Sequence, residues 1–106
     1  MKALRIKITS YISDDQPGFV ECKFNDAWNN EHIFHEKVPV VTLEDLDSFS
    51  KYPQDGIIAC EIIKEWKDKF GRKIFTVNTE KPWSIDSIQG LSEFDLVEDQ
   101  LIEFKQ

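Results

Sequence analysis

The chain has 106 residues, with twenty Asp and Glu against thirteen Lys and Arg, a net charge of −7 and 41% hydrophobic residues. That length suits one domain over 1–106 with a single modest core, and four glycines with four prolines exclude low-complexity and collagen-like sequence. The acidic balance disfavours non-specific contact with phosphate backbones, and no apolar run approaches the roughly 20 residues of a membrane span.

In the first predicted strand, residues 2–12, Leu4, Ile6 and Ile8 alternate with Arg5, Lys7 and Thr9. Successive strand side chains point to opposite faces, so this pattern builds one dry face and one wet one. A turn over 13–18 follows, dense in Ser, Asp, Pro and Gly. The second strand, 19–25, alternates Val20, Cys22 and Phe24 with Glu21 and Lys23. Residues 26–31 form a hairpin-sized link in which Asn29-Asn30 tolerate positive φ. A third strand runs over 32–38 and ends, bulges or lies at an edge at Pro39, which has no backbone donor.

Thr42 is a good N-cap, and Glu44, Asp45 and Asp47 follow where a helix dipole favours acids, so a short helix is predicted near 43–50. Turn chemistry over 52–56 ends it. The fourth strand, 57–66, is rich in β-branched residues and joins a fifth, 72–79, through a turn at 67–71. Residues 80–84 are a loop and 85–88 a short strand. The closing strands are 94–96 and 101–104, the last with an alternative reading as a helical turn. The fold class is therefore all-β and mainly antiparallel. It is expected as a six- or seven-stranded barrel, favoured over a sandwich and resembling the OB or translation-factor type.

Motifs that carry chemistry are missing. No Gly-x-Ser-x-Gly, Cys-x-x-Cys, Walker loop or Gly-x-Gly-x-x-Gly occurs. His32, His35 and Glu36 lie on a predicted strand. Residues 32 and 35 then face opposite sides, while 32 and 36 stand about 13 Å apart, so neither pair chelates one ion unaided. Glu36 shares parity with Phe34 and Val38, and a buried carboxylate must be paired or neutralised. A bulge near Lys37-Val38 that turns it outward is expected over an inward Glu36 with a partner. Cys22 and Cys60 fall on the predicted inner face as reduced, structural thiols. No residue is assigned to catalysis, and neither a cofactor nor a metal is expected.

Two surfaces invite partners. Trp28, Trp83 and Phe70 sit in loops or turns, where aromatic side chains anchor protein interfaces or fold back as plugs. Asp14, Asp15, Glu44, Asp45 and Asp47 supply negative potential around them. Separately, Lys69, Arg72 and Lys73 cluster with Trp66 and Phe70 around the 57–79 hairpin tip, a composition that can stack single-stranded bases.

Residues 19–28, 35–41 and 78–83 resemble segments of a group of small bacterial β-rich proteins to which no activity attaches. The resemblance implies a bacterial, stand-alone cytosolic domain and carries over no catalytic residue. Met1 to Arg5 embed charges in the first apolar run, unlike a signal peptide, which again gives a cytoplasmic expectation. The functional expectation is a non-catalytic acidic domain that recognises a protein partner, with an immunity or inhibitor protein against a basic toxin as an analogy. The alternative is single-strand or small-ligand binding on a barrel face, and an enzyme ranks third.

Overall fold

A computed structural model describes residues 1–13, 15 and 17–104. Seven strands are present among them: β1 (Lys2–Ser13), β2 (Phe19–Asn25), β3 (Glu31–Lys37), β4 (Gln54–Lys67), β5 (Lys73–Asn78), β6 (Glu93–Val97) and β7 (Leu101–Glu103). All pairings are antiparallel, in the order β3-β2-β1-β4-β5-β6. The sheet is curled into a half-barrel. Two long strands produce the curl. β1 shifts register against β2 between Ile8 and Ser10 and again between Tyr11 and Ser13. β4 pairs β1 through Gln54–Cys60, then pairs β5 from Glu61 onward, with a register shift between Ile62 and Lys64. Such irregularities bend a strand and sharpen its twist. A 3-10 turn, Glu98–Gln100, carries the chain from β6 to β7, which pairs Lys2–Leu4 of β1.

The inner face is the predicted one. Leu4, Ile6, Ile8, Val20, Cys22, Phe24, Phe34, Ile58 and Cys60 are buried in one core cluster with Val77, Phe94 and Leu96. Across the open side, Phe24, Phe34 and Phe94 pack with ring centroids 5.2–6.0 Å apart. Two backbone bonds also span it. Ala27 N–H donates to Asp95 at 2.8 Å, and Ile88 N–H donates to Ile33 at 2.9 Å. No helix among the described residues is long and apolar enough to cross a membrane.

Two predicted elements are displaced. The short helix is α1 (Val38–Val41), not 43–50. Val38 and Val41 are buried and lie one turn apart, so this turn closes an end of the core, while Pro39 occupies the first helical turn where no donor is needed. Thr42 is the C-cap rather than an N-cap, and residues 43–50 form bends and a turn. Residues 85–88 do not form a strand. Ile85 fills the core from an irregular crossing, with its N–H on the Thr79 carbonyl at 3.1 Å.

Candidate functional site

The predicted acids converge in part. Glu44, Asp45 and Asp47 are exposed on the loop between α1 and β4, and a shallow cavity of about 350 Å³ separates this loop from Pro17 and Gly18 of the β1–β2 turn. Asp15 is exposed in that same turn, and Asp14 lies outside the described residues. The loop also carries what sequence reasoning passed over. Leu43 is 103% exposed and Phe49 93% exposed. Reading 43–50 as a helix hid them, because a helix would have turned Leu43 and Leu46 toward the core. The neighbouring turn formers Asp47, Ser48 and Ser50 were the available signal.

This loop is tied down from within. Asp47 accepts the Phe49 N–H on Oδ1 at 2.8 Å, its own N–H donates to Ser50 Oγ at 3.0 Å, and the Tyr52 hydroxyl donates to its carbonyl at 2.8 Å. Thr42 Oγ1 accepts the Glu44 N–H at 3.1 Å. Leu46 and Tyr52 pack against the core and anchor the segment. Leu43 and Phe49 are therefore held out by an ordered frame.

The predicted aromatic anchors separate into two places. Trp28, 42% exposed, packs at a tilt of 37° against Trp66 with centroids 6.0 Å apart, and the Arg72 guanidinium lies 5.4 Å over the Trp28 ring. Beneath them the Trp28 and Trp66 N–H groups donate to Asp95 and Thr76, both at 3.0 Å, and the Thr76 hydroxyl donates to Asp95 at 2.6 Å. Phe70, 76% exposed, stands at the β4–β5 tip with the Lys69 ammonium 5.2 Å from its ring. The hairpin cluster of Trp66, Lys69, Phe70, Arg72 and Lys73 is thus brought to one end of the molecule, but its cations are partly spent. Arg72 Nε bonds Asp68 at 2.8 Å, and Lys73 bonds Glu65 at 3.1 Å, which holds its ammonium above the ordinary lysine pKa.

Trp83, 40% exposed, packs edge-on against Phe104 at 6.2 Å. Both rings border an open groove with a volume of about 1020 Å³. Arg5, Lys7, Lys23, Asp55, Ile57 and Ile102 also line it, with the 39–44 segment on its margin.

Titratable groups elsewhere serve the structure. Pairing of β2 with β3 runs unbroken from Phe19↔Lys37 to Asn25↔Glu31, so no bulge turns Glu36 outward. Glu36 stands opposite buried Val20, itself half-buried, and its carboxylate makes no hydrogen bond or ion pair with another described residue. Burial first, then the Asp86 charge, push its carboxyl above the usual range. Cys22 and Cys60 are free and buried, and burial pushes both thiols up to about 12. His32 bonds Asp26, and His35 lies 3.6 Å from Glu21. Among the described residues no three or more His, Cys, Asp or Glu side chains gather as a metal set. No family model, curated protein or solved structure matches this chain, so the resemblance of its 19–28, 35–41 and 78–83 segments rests on those segments alone.

Proposed function

We propose that this protein is a non-catalytic recognition domain that docks its 42–53 loop onto a basic protein partner. The observation that carries this reading is the exposure of Leu43 and Phe49 on a loop that Asp47, Ser50 and Tyr52 hold in place. Burying one such side chain is worth about 1.5–3 kcal/mol. A frame already ordered loses little entropy on docking. Glu44, Asp45 and Asp47 surround the two apolar tips, so a partner with cations around apolar pockets is the complementary surface. Two buried, unpaired thiols suit a reducing compartment and support a cytoplasmic reading.

Single-strand binding at the hairpin end is supported less. Arg72 and Lys73 are ion-paired with Asp68 and Glu65, and Trp28 is already packed against Trp66 and covered by Arg72.

The test uses the full chain as bait beside a Leu43→Ser/Phe49→Ser variant and a Phe70→Ser variant. A basic protein retained by the parent and by Phe70→Ser, lost with the double variant and released as salt rises, is the expected result. Identical recovery by all three baits overturns the reading.

A further inference from the structure

A groove runs beside the outward-facing residues of β1 and β4 and reaches the core residues Ile6, Phe24 and Val41. Residues 3, 5 and 7 of β1 alternate with the buried Leu4, Ile6 and Ile8, and pairing sets Ala59 and Ile102 beside Ala3, Ile57 beside Arg5, and Asp55 beside Lys7. Alternation predicts a wet face here. Instead Ala3 and Ala59 are fully buried, and Ile57 and Ile102 are half-buried. Of this apolar strip, Ile57 and Ile102 line the groove of about 1020 Å³, together with Trp83 and Phe104.

The charges in the groove are not equivalent. Lys7 is ion-paired with Asp55, and Lys23 lies 3.7 Å from Glu21. The Arg5 side chain makes no hydrogen bond or ion pair with another described residue; its cross-strand neighbour is Ile57, and it acts on Asp55 only through its charge, behind the closer Lys7. A guanidinium whose N–H groups are not bonded to a described residue, beside apolar surface, can present its planar fork to a carboxylate and hold it by two parallel bonds. Glu44 also lines the groove and disfavours a second negative charge on the occupant. The volume suits a small molecule, since ligand pockets run to roughly 300–1,000 Å³.

We propose that this groove binds a small amphipathic monocarboxylate, with its apolar body over Ile57, Ile102 and Trp83 and its carboxylate on Arg5. The groove shares Leu43 and Glu44 with the 42–53 loop but not Phe49, and carboxylate binding on Arg5 does not require the loop to have a protein partner.

Calorimetric titration of the full chain with decanoate below its micellar range tests it, with decanol as the uncharged counterpart. Decanoate is expected to bind one molecule per chain. Arg5→Gln weakens it about tenfold or more, Arg5→Lys by less, and decanol binds about tenfold more weakly than decanoate. Phe49→Ser leaves decanoate binding unchanged. Arg5 is exposed, so its variants should keep the parent's circular dichroism and unfolding midpoint, which is checked first. No heat with decanoate up to millimolar concentration, equal affinity for decanol, or full affinity in Arg5→Gln each overturns the proposal.

Discussion

His32 Nε2 lies 2.8 Å from Asp26 Oδ2, and the other ring nitrogen of His32 is buried without a partner among the described residues. The ring itself packs 4.8 Å from Phe94 and 5.2 Å from Phe24. The other oxygen of Asp26 accepts the N–H groups of Trp28 and Asn30 at 2.9 and 3.0 Å. One carboxylate therefore ties the β2–β3 turn, the core edge and the Trp28 backbone together, and Asn29 completes the turn at φ 64°.

Burial pushes the Asp26 carboxyl up, but the bonds from His32, Asn30 and Trp28 outweigh it and hold it below its ordinary value of 3.8. A carboxyl with its folded pKa lowered adds stability that is complete above the unfolded value and is lost as pH falls through the folded one. Asp26→Asn is expected to cost about 2 kcal/mol at neutral pH in urea unfolding, with the difference from the parent shrinking in acid. A Trp28 emission that does not move in the variant would separate the turn from this carboxylate.

Glu36 has the opposite sign. Its folded pKa is raised, so the ionised group opposes folding at every pH above that value, and the penalty fades as pH falls toward the unfolded value. Glu36→Gln should stabilise the protein at neutral pH by up to about 1 kcal/mol. The gain should vanish below the ordinary glutamate pKa of 4.5, as thermal midpoints across a pH series would show.

The two thiols are predicted to be inert in the folded state. With both pushed up to about 12 and both side chains buried, almost no thiolate is present at neutral pH. Ellman's reagent should label neither Cys22 nor Cys60 promptly in buffer and both in denaturant. Fast labelling of a native thiol would mean that its strand opens locally.

Gly56 tests how α1 is seated on β4. A methyl group added there would lie 2.9 Å from Ile8 side-chain carbons and 2.9 Å from the Val41 carbonyl oxygen, which belongs to backbone and has little room to yield. Gly56→Ala is expected to cost about 1–3 kcal/mol, read as a lower urea midpoint with an unchanged slope.

Strand parity was legible residue by residue. Leu4, Ile6, Ile8, Val20, Cys22 and Phe24 lie where alternation puts them, because the side-chain period of a strand is local and needs no knowledge of its partners. The antiparallel class and the long β4–β5 hairpin followed from the same pattern. Helix position did not, because Thr42 and its acids are as good at making turns as at capping, and only the buried sites for Val38 and Val41 decide between them.

The candidate surfaces were decided by tertiary structure for a related reason. Composition identifies Glu44, Asp45 and Asp47 as acidic, but whether Leu43 and Phe49 are covered depends on which other segments reach them. Nothing local marks Ala3 and Ala59 as dry on the outer face, Asp95 as the acceptor beneath Trp28, or Arg5 as the groove cation whose side chain has no direct hydrogen bond or ion pair among the described residues. The amino-acid order settles which side of a strand a residue takes. What faces that residue across space is settled only when distant strands pair and the loops close over them, because burial and charge pairing are sums over neighbours far apart in the chain.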